Sequence, residues 1–150
     1  MKYSAAPLPY TTLADMPKPP AEDRRLVRLT ELCLKLPEAM RAVNGDHADF
    51  RVRKKVFAYF LNNHHGDGIV SVCVKTELGD NVDLAGGQPD IYYLPAYIGT
   101  RGWVGMRLDR GAIDWRHVWA MLKLSWSLAA PKTIAALVWA PDFDAKAGQA

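Results

Sequence analysis

The sequence predicts an α+β two-layer sandwich, in which an antiparallel sheet of about five strands is covered by helices on one face. Three observations predict this class. Apolar residues recur at helical spacing near the start of the chain, at every second position through its middle, and at helical spacing again towards its end. A chain of 150 residues is long enough for one domain with one hydrophobic core.

The composition excludes several other classes of protein. Hydrophobic residues make up 49% of the chain and charged residues 23%, which is typical of a globular domain and not of a disordered or collagen-like chain. The formal charge of +3 permits an anionic partner without requiring one. The first residues lack the apolar core of a signal peptide, and no apolar run approaches the roughly 20 residues that cross a bilayer. We therefore predict a soluble cytoplasmic protein.

Proline and cysteine positions predict the domain limits and the state of the thiols. Half of the ten prolines lie in the first twenty residues, and each favours extended geometry before it. We predict a Pro-rich N-terminal arm over residues 1–20, one domain over residues 21–140 and a flexible tail over residues 141–150. Cys33 and Cys73 lie in apolar segments outside any CxxC motif, so we predict two buried thiols.

The first predicted helix covers residues 21–36. Its apolar side chains are three or four residues apart and therefore form one stripe: Leu26, Leu29, Leu32, Cys33 and Leu36. Pro37 ends the helix, because it has no N–H to donate and its ring crowds the previous turn.

The middle of the chain predicts three strands. Residues 50–52 alternate apolar and basic types, residues 56–61 are rich in strand formers, and residues 69–75 place valines on one side. Short connections at residues 53–55 and 62–68 predict an antiparallel meander.

The following segment is less regular. Residues 76–90 indicate a short helix that three glycines weaken. A strand is predicted over residues 92–98, at an edge or a bulge, because Pro95 interrupts it. A hairpin turn at residues 99–102 then leads to a return strand over residues 103–108.

The last long helix is predicted to begin after Asp114, a good N-cap, and to run to about Ala129. One face presents Trp115, Val118, Trp119, Leu122 and Trp126, and the roughly opposite face presents Met121, Leu124 and Leu128. A helix that is apolar on two sides is either covered on both or binds a partner. A closing helix over residues 133–139 would supply the second cover.

Several segments together resemble one family. They are residues 36–39 (LPEA), 50–58 (FRVRKKVFA), 95–105 (PAYIGTRGWVG), 114–115 (DW), 125–126 (SW) and 130–132 (APK). In their order and spacing the chain resembles the MmcQ/YjbR-like family of small bacterial proteins over residues 26–132. The resemblance implies a frataxin-like α+β fold, also described as a double-wing DNA-binding fold, and DNA as a partner. Residues 76–90 depart from the family pattern, which usually has a more regular helix there.

The sheet face away from the helices is the candidate binding surface. If the valines face the helices, strand alternation sends basic side chains and one tryptophan outward. The candidate nucleic-acid contacts on and beside these strands are Arg51, Arg53, Lys54, Lys55, Lys75, Trp103 and Arg107. Cations suit a phosphate backbone and an exposed ring suits a stacked base, at about 1–3 kcal/mol per base. Two alternatives remain open: a solvated charged face, and a face covered by the N-terminal arm.

A protein interface is the alternative function. If the closing helix leaves Met121, Leu124 and Leu128 uncovered, they form an apolar patch for a protein partner or for a second copy of the chain.

No catalytic, cofactor or metal site is predicted. His64 and His65 adjoin Asp67 in a glycine-flanked loop without the fixed spacing of a metal-binding pair. The first helix carries too many bases for the acidic ridge that iron binding by a frataxin-like protein would require. No serine or cysteine has a recognisable base and orienting partner, and no glycine-rich phosphate loop is present. We therefore predict a non-enzymatic domain.

Overall fold

A computed structural model describes residues 21–148 of the protein. The helices are α1 (Arg24–Cys33), α2 (Asp80–Gly87), α3 (Trp115–Ala129), α4 (Lys132–Ala135) and α5 (Phe143–Lys146). The strands are β1 (Ala39–Asn44), β2 (His47–Val52), β3 (Lys55–Asn62), β4 (Val70–Lys75), β5 (Tyr92–Tyr93) and β6 (Trp103–Arg107). They form one antiparallel sheet in the order β1-β2-β3-β4-β6-β5. The α+β class is confirmed, with six strands in this part of the chain instead of about five.

The core lies between one face of the sheet and the helices α1 and α3. The helix α1 is shorter than the predicted residues 21–36 and ends at Cys33, but the whole predicted stripe is buried, including Leu36 beyond its end. The Asp23 carboxylate caps α1 by accepting the backbone N–H of Arg25 at 2.8 Å. In α3, Leu122 and Trp126 are fully buried against the sheet. We call the opposite side of the sheet the outer face. The hydrophobic effect thus determines which side of each strand meets the helices.

The additional strand is β1, at the edge of the sheet. Most of its side chains are exposed, so it lacks the alternating apolar pattern by which strands are recognised. A sequence signal was nevertheless present, because the two residues between Asn44 and His47 are Gly45-Asp46, a typical two-residue hairpin connection, and Gly45 has a φ of 61°.

The segment before β6 differs from its prediction. The strand expected over residues 92–98 is limited to Tyr92 and Tyr93, and a 3-10 turn at Ile98–Arg101 replaces the expected hairpin turn. Pro95 cannot donate to a sheet ladder, and Tyr97 has a left-handed φ of 66°, so the chain leaves the sheet there. The short helix indicated within residues 76–90 forms as α2.

The C-terminal segment also differs from its prediction. Residues 141–148, expected as part of a flexible tail, include α5 and pack against α3. The Phe143 ring stacks on Trp119 with 6.2 Å between ring centroids. The Asp144 carboxylate accepts hydrogen bonds from the Trp119 indole at 3.0 Å and from the Lys123 ammonium at 2.9 Å. The predicted N-terminal arm, residues 1–20, lies outside the described residues.

Both cysteine thiols are buried, as predicted, but on opposite sides of the sheet. Cys33 belongs to the core below α1, whereas Cys73 lies on the outer face of β4. Burial raises the pKa of both thiols, that of Cys73 to about 11. Over residues 21–148, none of the helices has the length and apolar character needed to span a bilayer.

Candidate functional site

The sheet register decides which predicted contact residues share the outer face. Arg51, Lys75 and Trp103 lie there, near one end of the sheet, where Lys75 pairs with Trp103 and Arg51 pairs with Val56. Arg107 lies on the same face but is four residues further along β6 and pairs with Ser71. At about 3.3 Å per residue it is about 13 Å from Trp103 along the strand. Arg107 therefore does not belong to the same cluster of cations.

All three arginines among the predicted contacts are ion-paired. The pairs are Arg51 with Asp49 at 2.8 Å, Arg53 with Glu38 at 3.2 Å and Arg107 with Asp109 at 2.9 Å. The Arg107 guanidinium lowers the pKa of the Asp109 carboxyl, because it donates two hydrogen bonds to it. The positive charge of each arginine is thus partly neutralised in the fold.

The three lysines have no such partners. Within residues 21–148, no carboxylate lies within salt-bridge distance of Lys54, Lys55 or Lys75. Lys54 is exposed in the β2–β3 turn, and Lys55 pairs with Val52, so it lies towards the helical side next to Pro131. Lys132 follows Pro131 and is also exposed. We call the cluster of Arg51, Arg53, Lys54, Lys55 and Lys75 the basic hairpin end.

Trp103 does not have the exposure that a base-stacking residue needs. Only 8% of it is exposed, and its ring lies 5.2 Å from that of Tyr59. The prediction placed it on the correct face but did not foresee that this face is covered there. The Tyr59 ring lies beside it on the same face, and the Asn81 side chain of α2 donates a hydrogen bond to the Trp103 carbonyl at 3.0 Å.

The predicted protein interface is largely covered. Met121 is 8% exposed, and Leu124 and Leu128 are half-buried. Met121 and Leu124 border a shallow groove beside α2, whose Asp80 and Asp83 lie at its rim. The apolar patch expected from the sequence is therefore smaller than an uncovered helix face would present.

A cavity of about 350 Å³ lies on the outer face, between the residues that follow β3 and those that follow β5. Five aromatic rings and one carboxylate line it, together with aliphatic side chains: Tyr59, Tyr93, Tyr97, His64, His65 and Asp67, with Leu61, Pro95, Ala96 and Ile98. We call it the aromatic cavity. The sequence predicts a polar loop without a metal site at His64, His65 and Asp67, and it gives no signal that the three tyrosines lie beside them.

Tyr93 forms the inner wall of the aromatic cavity. Its ring lies directly over Gly105, and its hydroxyl is 2.7 Å from the Ser71 hydroxyl. Burial raises the pKa of the Tyr93 phenol well above its ordinary value. The Cys73 sulfur lies 3.8 Å from the same hydroxyl. Because its pKa is raised, this thiol stays protonated at neutral pH and is a poor nucleophile.

The histidines of the cavity are close to one another. The His64 and His65 rings are 3.9 Å apart, and His47 lies edge-on to His64 at 5.2 Å. The pKa of His64 is lowered, mainly by burial and then by His65 and His47. Among residues 21–148, no three or more His, Cys, Asp and Glu side chains are arranged to hold a metal ion.

Comparisons with known proteins identify relatives of the fold. The YjbR family model matches residues 34–128. The crystal structure of a Deinococcus radiodurans protein with a DUF419 domain is similar with a TM-score of 0.58 and 17% sequence identity, over 83% of this chain and 88% of that chain. At that identity the likeness shows the fold alone. No curated protein matches the chain significantly in sequence.

Proposed function

The chain belongs to the YjbR family, and we propose that it binds the phosphate backbone of a nucleic acid at the basic hairpin end. One observation supports this function above the others. The register and the β2–β3 turn bring five cations to one end of the sheet, and within residues 21–148 only two carboxylates, Asp49 and Glu38, contact them. Five positive and two negative charges leave a local excess of three positive charges, on a chain whose whole formal charge is +3.

The ion pairs at this end do not prevent phosphate binding. The Arg51–Asp49 and Arg53–Glu38 pairs are about half exposed on the arginine side, and exposed pairs contribute about 0–1 kcal/mol. A phosphate can therefore replace a carboxylate as the arginine's partner at little cost. The lysines need no such exchange.

The number of lysines without partners limits the expected affinity. Three phosphate contacts predict a slope of log K against log salt of about −2.7 for duplex DNA, or about −2.1 for a single strand. Because Trp103 is buried, we expect no base stacking there. Binding should consequently be weak, strongly reduced by salt and indifferent to base sequence.

The experiment is a fluorescence-anisotropy titration of labelled single-stranded and duplex oligonucleotides at several salt concentrations. The test variant is Lys54→Ala/Lys75→Ala. The matched control is Arg24→Ala/Arg116→Ala, which removes the same charge from exposed positions on α1 and α3. For duplex DNA, we expect the test variant to reduce the magnitude of the slope of log K against log salt by about 1.8, and we expect the control to leave that slope unchanged. Absence of binding at low salt, or equal losses in both variants, would overturn the proposal.

A protein-interaction role through Met121, Leu124 and Leu128 has less support, because the structure covers most of that face. Sedimentation velocity at high protein concentration distinguishes the two. A dimer that Leu124→Glu dissociates would favour the interface, whereas a monomer that binds DNA would favour the basic hairpin end.

A further inference from the structure

The aromatic cavity is suited to a small ligand and is separate from the basic hairpin end. Its volume of about 350 Å³ lies at the lower end of the range for ligand pockets. None of its lining residues belongs to the cluster of cations described above. One of its lining strand residues, Leu61, pairs with Ser71 near the opposite end of β4 from Lys75. A ligand there would not need the contacts that the proposed nucleic-acid site uses.

The charge of the lining favours a cation. Among residues 21–148, no lysine or arginine lines the cavity, and Asp67 contributes the one carboxylate. One Asp67 oxygen accepts the Ile69 N–H at 2.9 Å, which fixes the side chain and leaves the second oxygen available to a ligand. The nearby Arg107 is held by Asp109 through two hydrogen bonds.

The aromatic rings supply the other half of such a site. The negative face of a tyrosine ring attracts a cation that lies within about 6 Å of its centroid. Tyr59 is positioned by its contact with Trp103, and Tyr93 by its hydrogen bond to Ser71. Two rings of the cavity are thus fixed by the fold before any ligand arrives.

The loops around the cavity contain three residues with left-handed backbone conformations. Asn63, His65 and Tyr97 have left-handed φ values of 53°, 55° and 66°. Asparagine and histidine adopt this region more readily than most residues, whereas it is unfavourable for tyrosine. All three belong to the two segments that wall the cavity, and such strain is concentrated at binding sites. Tyr97 is also 85% exposed, so its ring contributes little to the core.

From these observations we propose that the aromatic cavity binds a small organic cation, with an ammonium or quaternary ammonium head against the tyrosine rings and its charge near Asp67. The aliphatic side chains Leu61, Pro95 and Ile98 contact the methyl groups of such a head. His64 and His65 complete the wall, and burial lowers the pKa of His64, which favours its neutral form beside a cation.

The test compares three probes of nearly the same shape: choline, its neutral carbon isostere 3,3-dimethylbutan-1-ol, and the anion 3,3-dimethylbutanoate. Binding is measured at neutral pH by amide chemical-shift changes in a ¹⁵N-labelled chain. We expect choline to shift the amide signals of the two segments that line the cavity, residues 59–67 and 93–98. It should bind at least tenfold more tightly than the neutral isostere. The anion should bind most weakly.

Two variants and one control locate the charge and ring contributions. Asp67→Asn should weaken choline about fivefold while leaving the neutral isostere unchanged. Tyr97→Leu should weaken choline similarly, because it retains apolar contact but removes the ring face. Asp46→Asn, which removes an exposed carboxylate from the β1–β2 turn, should have no effect.

Three results would overturn the inference. Equal binding of choline and its neutral isostere would show that the cavity recognises apolar shape alone, and stronger binding of the anion would reverse the charge argument. Absence of shifts near Tyr59, Tyr93 and Tyr97 with all three probes would also refute it. Because the probes and variants leave the basic hairpin end unchanged, these outcomes are independent of nucleic-acid binding.

Discussion

Gly105→Ala tests the arrangement that forms the inner wall of the aromatic cavity. Gly105 is buried in β6, where it pairs with Cys73 on one side and Tyr93 on the other. A methyl group added there would lie 2.8 Å from Tyr93 Cδ1 and closer still to Cε1 and Cζ. The backbone cannot retreat, because it is hydrogen-bonded to a strand on each side. Tyr93 must therefore move.

The expected cost follows from two losses and one gain. Overpacking of this kind costs about 1–3 kcal/mol. Displacement of Tyr93 also breaks its hydrogen bond with the fully buried Ser71, and an unsatisfied buried hydroxyl costs about 1–3 kcal/mol. Replacing glycine by alanine in a strand returns about 0.5–1 kcal/mol. We expect a net destabilisation of about 2–4 kcal/mol.

Urea unfolding followed by tryptophan fluorescence measures this loss as a lower midpoint with an unchanged m-value. Gly86→Ala is the matched control, because a methyl group at that position in α2 meets nothing within 4 Å. It should stabilise the protein by about 0.5–1 kcal/mol. The double variant Gly105→Ala/Tyr93→Ala should be less destabilised than the sum of its single variants. Additive losses, or a neutral Gly105→Ala, would refute the packing of Tyr93 over Gly105.

Other predictions concern the core and the pH dependence of stability. Ser125→Ala should cost about 2–6 kcal/mol in the same unfolding assay. The buried Ser125 hydroxyl donates to the Phe57 carbonyl at 2.5 Å and accepts the Lys75 N–H at 2.8 Å. The substitution leaves both backbone groups without this partner, and each unsatisfied buried group costs about 1–3 kcal/mol. A loss below about 1 kcal/mol would contradict this pair of hydrogen bonds. Arg107 lowers the pKa of Asp109 in the folded state. The ion pair therefore contributes its full share to the free energy of unfolding at neutral pH. This contribution is lost as the pH falls below about 4 and through the folded pKa. Thermal unfolding of wild type and Asp109→Asn should therefore differ at pH 7 and converge at low pH, and a constant difference would count against the ion pair.

The regular elements were predictable because burial on one side produces a period. The first helix, three central strands, the return strand and the last long helix all contact the core, so their apolar residues recur at the spacing of the element. β1 was not predicted, because an edge strand with exposed side chains has no such period. The C-terminal segment was not predicted either, since Phe143 and Asp144 find their partners on α3 in a different part of the chain.

Two of the three arginine ion pairs also had a sequence signal. Asp49 and Arg51, like Arg107 and Asp109, are two residues apart, and side chains at that spacing on a strand share a face. The pair of Glu38 with Arg53 had none, because it depends on the pairing of β1 with β2. Local periodicity therefore predicts which face a cation occupies, and part of its pairing.

By itself, the sequence determined the α+β class, the family, which face of the sheet packs against the helices, and the concentration of cations around the β2–β3 turn. Only the tertiary structure decided that Trp103 is buried, that Arg107 lies apart, and that three tyrosines and two histidines surround one cavity. The physical reason is that alternation along a strand is local and depends on one contact surface. Which outer-face residues are buried depends on where the irregular loops after β3 and after β5 pack on that face. The position of such loops has no periodic signal in the sequence.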